Sequence, residues 1–337
     1  MLSEKPEAQE FYIRVVNSFR LSRAVWLAAH FRLADIIGSG AASAVEIARA
    51  SETHPGAMRR LLDALTAAGI FSNEGDGRYG LTAASDFLRS DHPKSQRGLL
   101  NVVLGGEHYA AWGALDTALR TGEPAFTASH GASWIDYYTA HPEAGRTFAE
   151  AMTGTTRAFE DAILEADPFP AFRFAVDVGG SQGSLLRKLL ERNAEAKGVV
   201  FDLPEVIADW WPQGLDKLRG RLTGVAGDFF EAVPKGGDLY LLKFILHDWD
   251  DERAEMILRQ VRAAIASEGR AAIIETVLPP SPVPHPGWLM DLNMMAITGG
   301  QDRTASAYTD LLERSGWRIE QVVPTRSPLS VILASPA

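Results

Sequence analysis

The sequence predicts an α/β protein in which a mostly helical N-terminal part precedes a doubly wound, mostly parallel sheet. Two rhythms and one charge asymmetry predict it. Up to about Glu165, apolar residues recur at three- and four-residue spacing, the period of helices buried along one face. After Pro170, short apolar runs alternate with helical stretches, the pattern of parallel strands joined by crossover helices. The charge divides too: residues 1–100 carry 12 Lys/Arg against 11 Asp/Glu, whereas residues 101–337 carry 21 against 32.

In chain order, Ile13, Val16, Phe19, Ala24, Leu27, Ala28 and Phe31 form a helical stripe. A helix over Ala44–Ala50 meets a polar break at Ser51–His54. Pro55, suited to a first helical turn, opens the next helix through Ala68, and Gly69 ends it. Ile70–Ser72 and Tyr79–Leu81 flank the turn-forming Asn73–Gly77 and read as a short hairpin. Helix, turn, helix and hairpin make a winged-helix outline. A DNA reader would want a basic second helix. Pro55–Ala68 offers Arg59 and Arg60 beside Asp63, the remainder being mainly Leu, Ala and Met. Packing or dimerisation is therefore the favoured role. Leu21–Phe31 and Leu61–Ile70 are apolar enough for a partner surface, with ordinary core as the alternative. Residues 101–165 read as helices at Tyr109–Leu119, Trp134–Ala140 and Ala144–Glu165, with breaks at Gly122-Glu123-Pro124 and Ser129-His130-Gly131.

Five sheet strands follow, at Phe174–Val178, Gly198–Phe201, Leu222–Ala226, Leu239–Lys243 and Ala271–Glu275. Helices fall at Ser184–Arg192, Pro204–Asp209 and Asp251–Ala266, and Trp317–Val323 with Leu329–Ala334 close the sheet as a hairpin. Ligands on such sheets bind at the carboxyl ends of the strands, which is where chemistry is expected.

Composition excludes several classes. At 46% hydrophobic and 23% charged, the chain is not disordered or low-complexity. A net charge of −10 argues against a nucleic-acid or anionic-membrane partner. With no cysteine there is no disulfide, thiolate metal site or Cys nucleophile. The first thirty residues lack a secretory signal pattern, and no apolar run approaches the roughly 20 residues of a spanning helix. A soluble, cytoplasmic protein is expected.

The first strand runs into Asp177-Val178-Gly179-Gly180-Ser181-Gln182-Gly183. A glycine loop between strand and helix brings backbone amides close to a ligand. The G-x-G-x-x-G spacing of dinucleotide binders is absent, and Asp177 suits a cofactor without a pyrophosphate. A plain tight turn is the alternative. The second strand leads into Phe201-Asp202-Leu203-Pro204, where Asp202 is placed for ribose hydroxyls or, alternatively, as a helix cap. Gly227-Asp228-Phe229 offers an acid and a ring that would bracket an adenine. Lys243, His247-Asp248-Trp249 and Glu275 complete five successive strand ends with a polar group at each.

With Gly299-Gly300-Gln301-Asp302-Arg303-Thr304, Trp112-Gly113-Ala114-Leu115 and Thr121–Phe126, this ordered set resembles the S-adenosylmethionine-dependent O-methyltransferases of the plant caffeic-acid type and their bacterial relatives in antibiotic and pigment pathways. The resemblance spans nearly the whole chain. It implies a winged-helix dimerisation domain over 1–100, a helical substrate-pocket segment over 101–165 and a Rossmann-like methyltransferase domain over 166–337. It implies S-adenosylmethionine as cofactor, S-adenosylhomocysteine as product and no metal, with Asp177, Gly179, Gly180, Gly183, Asp202, Leu203, Asp228, Phe229 and Lys243 holding the cofactor. His247 is the implied general base, with Glu275 and Asp302 on either side of it, one carboxylate accepting from a ring nitrogen and leaving the other nitrogen to take a proton. His108, Trp112, Phe148, Met152, Met290, Asn293, Met294 and Ile297 are implied to line the acceptor pocket, although Met at helical spacing also serves as core filler. The chain departs from the family pattern in having Ser181 where glycine is usual, and Asp302 where glutamate is usual. The implied reaction is methylation of a phenolic secondary metabolite by a homodimer. The same fold with N-methylation, hydroxylation or rearrangement is the runner-up, and a winged-helix ligand-sensing regulator the non-enzymatic alternative.

Overall fold

The computed structural model describes residues 5–38, 40–208 and 218–337. The chain divides into two compact units, Met1–Tyr109 with Pro142–Thr155, and Ala110–His141 with Thr156–Ala337.

The first unit opens with α1 (Lys5–His30) and α2 (Leu33–Ile37). β1 (Ala42–Ser43) leads into α3 (Ala44–Ala50), started by a reciprocal Ser43/Glu46 capping box. Next come α4 (Pro55–Ala67), β2 (Phe71–Asn73) and β3 (Arg78–Leu81), the strands forming an antiparallel sheet in the order β1-β3-β2. This is the predicted winged-helix outline. α5 (Ala83–Asp86) and α6 (Arg97–Val103) follow. Leu62 and Leu65 of α4 are fully buried with Leu33, Ile47 and Phe71, so much of the apolar stretch Leu61–Ile70 is this unit's own core. α1 differs along its length: Ala28 and Ala29 are buried, whereas Phe11, Tyr12, Ile13, Val15, Val16 and Phe19 are exposed.

α7 (Gly106–Gly113) and α8 (Leu115–Thr121) occupy the predicted helix Tyr109–Leu119, which is broken at Ala114, whose backbone leaves helical geometry after Gly113. The break predicted at Ser129-His130-Gly131 also shifts. α9 (Ala125–His130) retains Ser129, whose hydroxyl donates to Ala125 O within the helix, and ends at Gly131 in the left-handed region. α10 (Trp134–Ala140) and α11 (Pro142–Ala166) complete this helical stretch.

The second unit's sheet is built from β4 (Phe174–Val178), β5 (Lys197–Asp202), β6 (Leu222–Ala226), β7 (Leu239–Lys243), β8 (Arg270–Leu278), β9 (Arg303–Thr304), β10 (Trp317–Pro324) and β11 (Leu329–Pro336). The helices between them are α12 (Ser184–Arg192), α13 (Pro204–Ala208), α14 (Asp251–Ala264), α15 (Gly287–Ile297) and α16 (Ala305–Arg314). The predicted end of α13 at Asp209 lies outside the described residues. The order is β10-β11-β8-β7-β4-β5-β6, parallel from β8 to β6 and antiparallel through the β11–β10 hairpin, with β9 beside β8. Alternate strand residues feed two cores. Val176, Val178, Tyr240 and Leu242 pack with Trp317 on one face, and Ala175, Leu239 and Leu241 with Leu185 on the other. The chain builds outward from β4 to β6 and then returns to place β7 on β4's other side. That reversal opens a crevice at the carboxyl ends of β4 and β7.

β8 runs three residues past the predicted end at Glu275. Pairing of Thr276 with Leu329, and of Val277 and Leu278 with β9, carries the ladder on. Glu275 is therefore inside a strand rather than at its tip.

Candidate active site

The loop after β4 turns through positive φ at Gly179 (65°), Ser181 (49°) and Gly183 (65°). Ser181 thus takes the left-handed turn that the glycine usual at this place would adopt, at a cost of about 1–2 kcal/mol for a side-chain-bearing residue. Its amide donates to Asp202 Oδ2 at 2.8 Å, and Gly179 N–H donates to Phe201 O at 2.8 Å. The glycines are needed for closeness. An added Cβ at Gly179 would lie 2.4 Å from Ile245, and one at Gly180 2.6 Å from the Asp177 carboxyl carbon.

Asp202 accepts from Leu203 N–H with its other oxygen at 2.8 Å, so it ties the loop to β5 and does not cap α13. Burial raises its carboxyl above the usual range, against the pull of those two amides. Asp177, buried under Gly180, is pushed up to about 7 by burial, opposed by the positive charge of Lys243. Lys243 is in turn held below the usual lysine range by burial, against the attraction of Asp177. Asp228 Oδ1 accepts from Phe230 N–H at 2.8 Å, which turns Phe229 edge-on to Phe230 at 4.9 Å and to Trp249 at 6.1 Å. Acids at the ends of adjacent strands, an aromatic ring and a close glycine loop suit a nucleoside carrying hydroxyls, an amine and a positive sulfonium. This donor set fits S-adenosylmethionine.

Beside this lies a tight turn after β7. Phe244 takes φ 56°, a rare conformation for a non-glycine residue, and Leu246–Asp248 form a single 3₁₀ turn. His247 is buried in it, its ring 5.3 Å from that of Phe244. Nδ1 lies 3.3 Å from Asp302 Oδ1 and Nε2 lies 3.7 Å from Asp248 Oδ1. The Asp302 contact is direct and somewhat long for a charged hydrogen bond.

Glu275 does not hydrogen-bond the ring. Its Oε1 accepts the backbone amides of Ile245, Leu246 and His247 at 3.1, 2.6 and 3.1 Å, and its Oε2 accepts from the Tyr308 hydroxyl. It reaches them from inside β8 and holds the turn's main chain. Burial alone would depress the imidazole. The Asp248, Glu275 and Asp302 carboxylates overcome it and lift His247 to about 9. Asp248 is itself raised to about 6 by burial, opposed by the imidazole.

Four further contributors escaped sequence reasoning. Asp248 was part of the motif without a role. Arg303, next to Asp302, donates to Leu246 O and Trp249 O at 2.9 Å each. A Cβ on Gly300 would lie 2.1 Å from His247 O, so only glycine lets this loop close on the turn. For Tyr308, inside an ordinary amphipathic helix, the sequence carries no signal.

The acceptor candidates divide. His108, Phe148 and Met152 belong to the first unit, where the His108 and Phe148 rings lie 6.0 Å apart. Trp112, Met290, Asn293, Met294 and Ile297 belong to the second. There Trp112 Nε1 donates to Asn293 Oδ1 at 2.9 Å. Met294 is buried and Met290 exposed, while Ile297 packs with Ala111 and Phe126 as core. Among the described residues no group of three or more His, Asp or Glu side chains could hold a metal ion, and no helix is long and apolar enough to cross a membrane.

Comparison with known proteins bears on this geometry. A family model described as an O-methyltransferase domain matches residues 112–318, and one described as an O-methyltransferase dimerisation domain matches residues 13–91. The chain is 38% identical over 340 residues to O-demethylpuromycin-O-methyltransferase of Streptomyces alboniger, covering 98% of this chain and 89% of that one. It is 34% identical over 325 residues to phenazine O-methyltransferase of Lysobacter antibioticus, covering 96% and 95%. Among solved structures, an O-methyltransferase of neocarzinostatin biosynthesis, in complex with S-adenosylmethionine and 2-hydroxy-5-methyl naphthoic acid, superposes with a TM-score of 0.82 at 32% identity, covering 94% of this chain and 96% of that one.

Proposed function

The chain belongs to the S-adenosylmethionine-dependent O-methyltransferases, and we propose that it methylates a hydroxyl of a small phenolic secondary metabolite with His247 as general base. Its cofactor is S-adenosylmethionine, which when bound supplies an electrophilic methyl on a sulfonium. Asp202 takes the ribose hydroxyls, and Asp228 with Phe229 brackets the adenine. The loop from Gly179 to Gly183 gives its backbone to the remainder.

The chain's own task is alignment and one proton. Alignment is worth roughly 7–11 kcal/mol of barrier in well-oriented systems. A phenol of pKa near 10 is mostly protonated at neutral pH, so a positioned base adds about 10²–10⁴-fold. His247 Nδ1–H donates to Asp302, which leaves Nε2 to accept the phenolic proton, and Asp302 and Asp248 stabilise the resulting imidazolium. A base raised to about 9 is well matched to a phenol, but at pH 7 only its neutral minority acts. Turnover therefore rises with pH.

The observation carrying this reading is the buried imidazole, 3.3 Å from Asp302, on the turn after β7 and beside the strand that bears the glycine loop. The test is incubation with methyl-labelled S-adenosylmethionine and a panel of phenols and aromatic amines. Label on a phenolic oxygen is expected, and label only on nitrogen would overturn the O-methylation reading. We also propose that the exposed apolar face of α1 (Phe11, Tyr12, Ile13, Val16 and Phe19) forms the homodimer contact, since exposed patches of this kind mark interfaces. Light scattering should report twice the chain mass, and a monomer at micromolar concentration would contradict it.

A further inference from the structure

We propose that Arg303 is a positioning residue for the reaction, its buried guanidinium clamping the carbonyls on either side of His247 and Asp248 so that the imidazole stays between Asp302 and Asp248. The inference rests on the reading of His247 as base and concerns what keeps that base in register.

A 3₁₀ turn of three residues has few internal hydrogen bonds, so its geometry is set by what it is bonded to. Its amide side is held by Glu275, whose one oxygen takes three successive N–H groups. Its carbonyl side is held by Arg303. One terminal nitrogen donates to Leu246 O and the other to Trp249 O, each at 2.9 Å, and these carbonyls bracket the two residues whose side chains meet at the imidazole. Nε donates to Asp251 Oδ1 at 3.0 Å, and the first terminal nitrogen also reaches Gln301 O at 3.2 Å. The Arg303 side chain is 2% exposed, whereas Asp251 is 51% exposed. Such burial is costly for a cation unless its donors are used, and a planar fork of fixed donors can span two carbonyls where a lysine ammonium cannot.

The placement also joins both contacts of the base. Asp302 precedes Arg303 in the chain, so the guanidinium that holds the turn and the carboxylate that meets Nδ1 move together. Asp302 N–H is anchored by Asp291 Oδ1 at 3.0 Å. The charged groups acting on the imidazole are Asp248 on its own turn, Glu275 from β8 and Asp302 before α16; behind them Arg303 holds the turn's carbonyls, Tyr308 on α16 meets Glu275 and Asp291 on α15 meets the Asp302 amide. Substituting lysine for arginine keeps their net charge while removing the fork.

The test uses the full chain labelled with ¹³C-histidine, comparing R303K, D251N and H247A with wild type. In wild type the His247 resonance, identified by its loss in H247A, should titrate above 6.5. In R303K that midpoint should fall towards 6.5 as the ring slips from its carboxylates. Turnover of the best phenol of the panel should fall roughly 10–100-fold, the scale of an ångström's misplacement. The dissociation constant for S-adenosylhomocysteine should stay within about twofold of wild type. D251N should move both readouts the same way by less. Unmoved titration and turnover in R303K would overturn the clamp, showing that any cation suffices. If R303K does not fold, D251N decides, and an unmoved midpoint there overturns the proposal. Full turnover in H247A would overturn the base reading itself, a different failure from an unaffected R303K beside a disabled H247A.

Discussion

The glycine loop and the turn carrying His247 lie side by side at the ends of β4 and β7, yet they are held together in different ways. The glycine loop is fixed by bonds from its own β–loop–β surroundings: Ser181 to Asp202, Gly179 to Phe201, Asp202 to Leu203. The turn carrying His247 is fixed by side chains 28 to 57 residues away, Glu275 on its amides, Arg303 on its carbonyls and Asp302 on its ring. The loop itself is held mainly through its own backbone amides, and the turn mainly through side chains of a buried charge network. Changes in the first should therefore act on cofactor affinity, and changes in the second on turnover.

The largest break in that comparison is expected from His247→Gln. Turnover at pH 7 should fall roughly 10²–10⁴-fold with S-adenosylhomocysteine affinity nearly unchanged. Calorimetry beside a label-transfer assay separates the two effects, and equal losses in both would erase the distinction between the regions. Gly300→Ala is next. Its Cβ would sit 2.1 Å from His247 O and 2.3 Å from the Asp248 carbonyl carbon, so the turn must move. A loss of about 10²-fold in turnover is expected, again with cofactor affinity retained.

Asp202→Ala probes the other region. Charge-assisted bonds run to about 1.5–3 kcal/mol each, so calorimetry should show affinity for S-adenosylhomocysteine weakened tenfold or more. An unchanged dissociation constant would reduce Asp202 to a tie for the loop. The smallest effect is expected from Ser181→Gly. Relief of about 1–2 kcal/mol of left-handed strain is offset by about 0.4–1 kcal/mol of added freedom in the unfolded chain, leaving a slight gain in urea stability. A loss above about 1 kcal/mol would show that the serine side chain itself holds the loop.

The same division explains what was legible in the sequence. β4, α12, β6 and β7 follow the predicted bounds because apolar runs and flanking glycines are local signals, and Asp202 and Asp228 are found by counting from strand ends. The turn carrying His247 was legible only in part. His247 stands out at a strand end and Asp302 through the motif, but Glu275 was expected on the ring and instead holds the backbone. Its function depends on β8 running on past it, which pairing with β9 and β11 decides. Arg303, Gly300 and Tyr308 act across long sequence separations, which no local pattern encodes. The acceptor candidates are least legible, because methionines such as Met294 that would line a pocket pack by the same rules as core.

The central claim is that a buried imidazole, charged by its carboxylate neighbours, must lose its proton before it can take one from the acceptor. Because burial is outweighed by Asp248, Glu275 and Asp302, the folded-state value lies above 6.5, at about 9, and the inactive imidazolium dominates below it. The direct measurement is single-turnover methyl transfer against pH, from 5.5 to 10, in wild type and His247→Gln with saturating S-adenosylmethionine. Wild-type rate should rise about tenfold per pH unit at the acid end and level off well above 6.5. His247→Gln should run well below it and keep rising to the acceptor's own pKa near 10 instead of levelling with the imidazole, so that the gap between the two proteins closes only as the phenolate forms unaided. Superimposable profiles, or a wild-type rate already level at pH 6, would contradict the account.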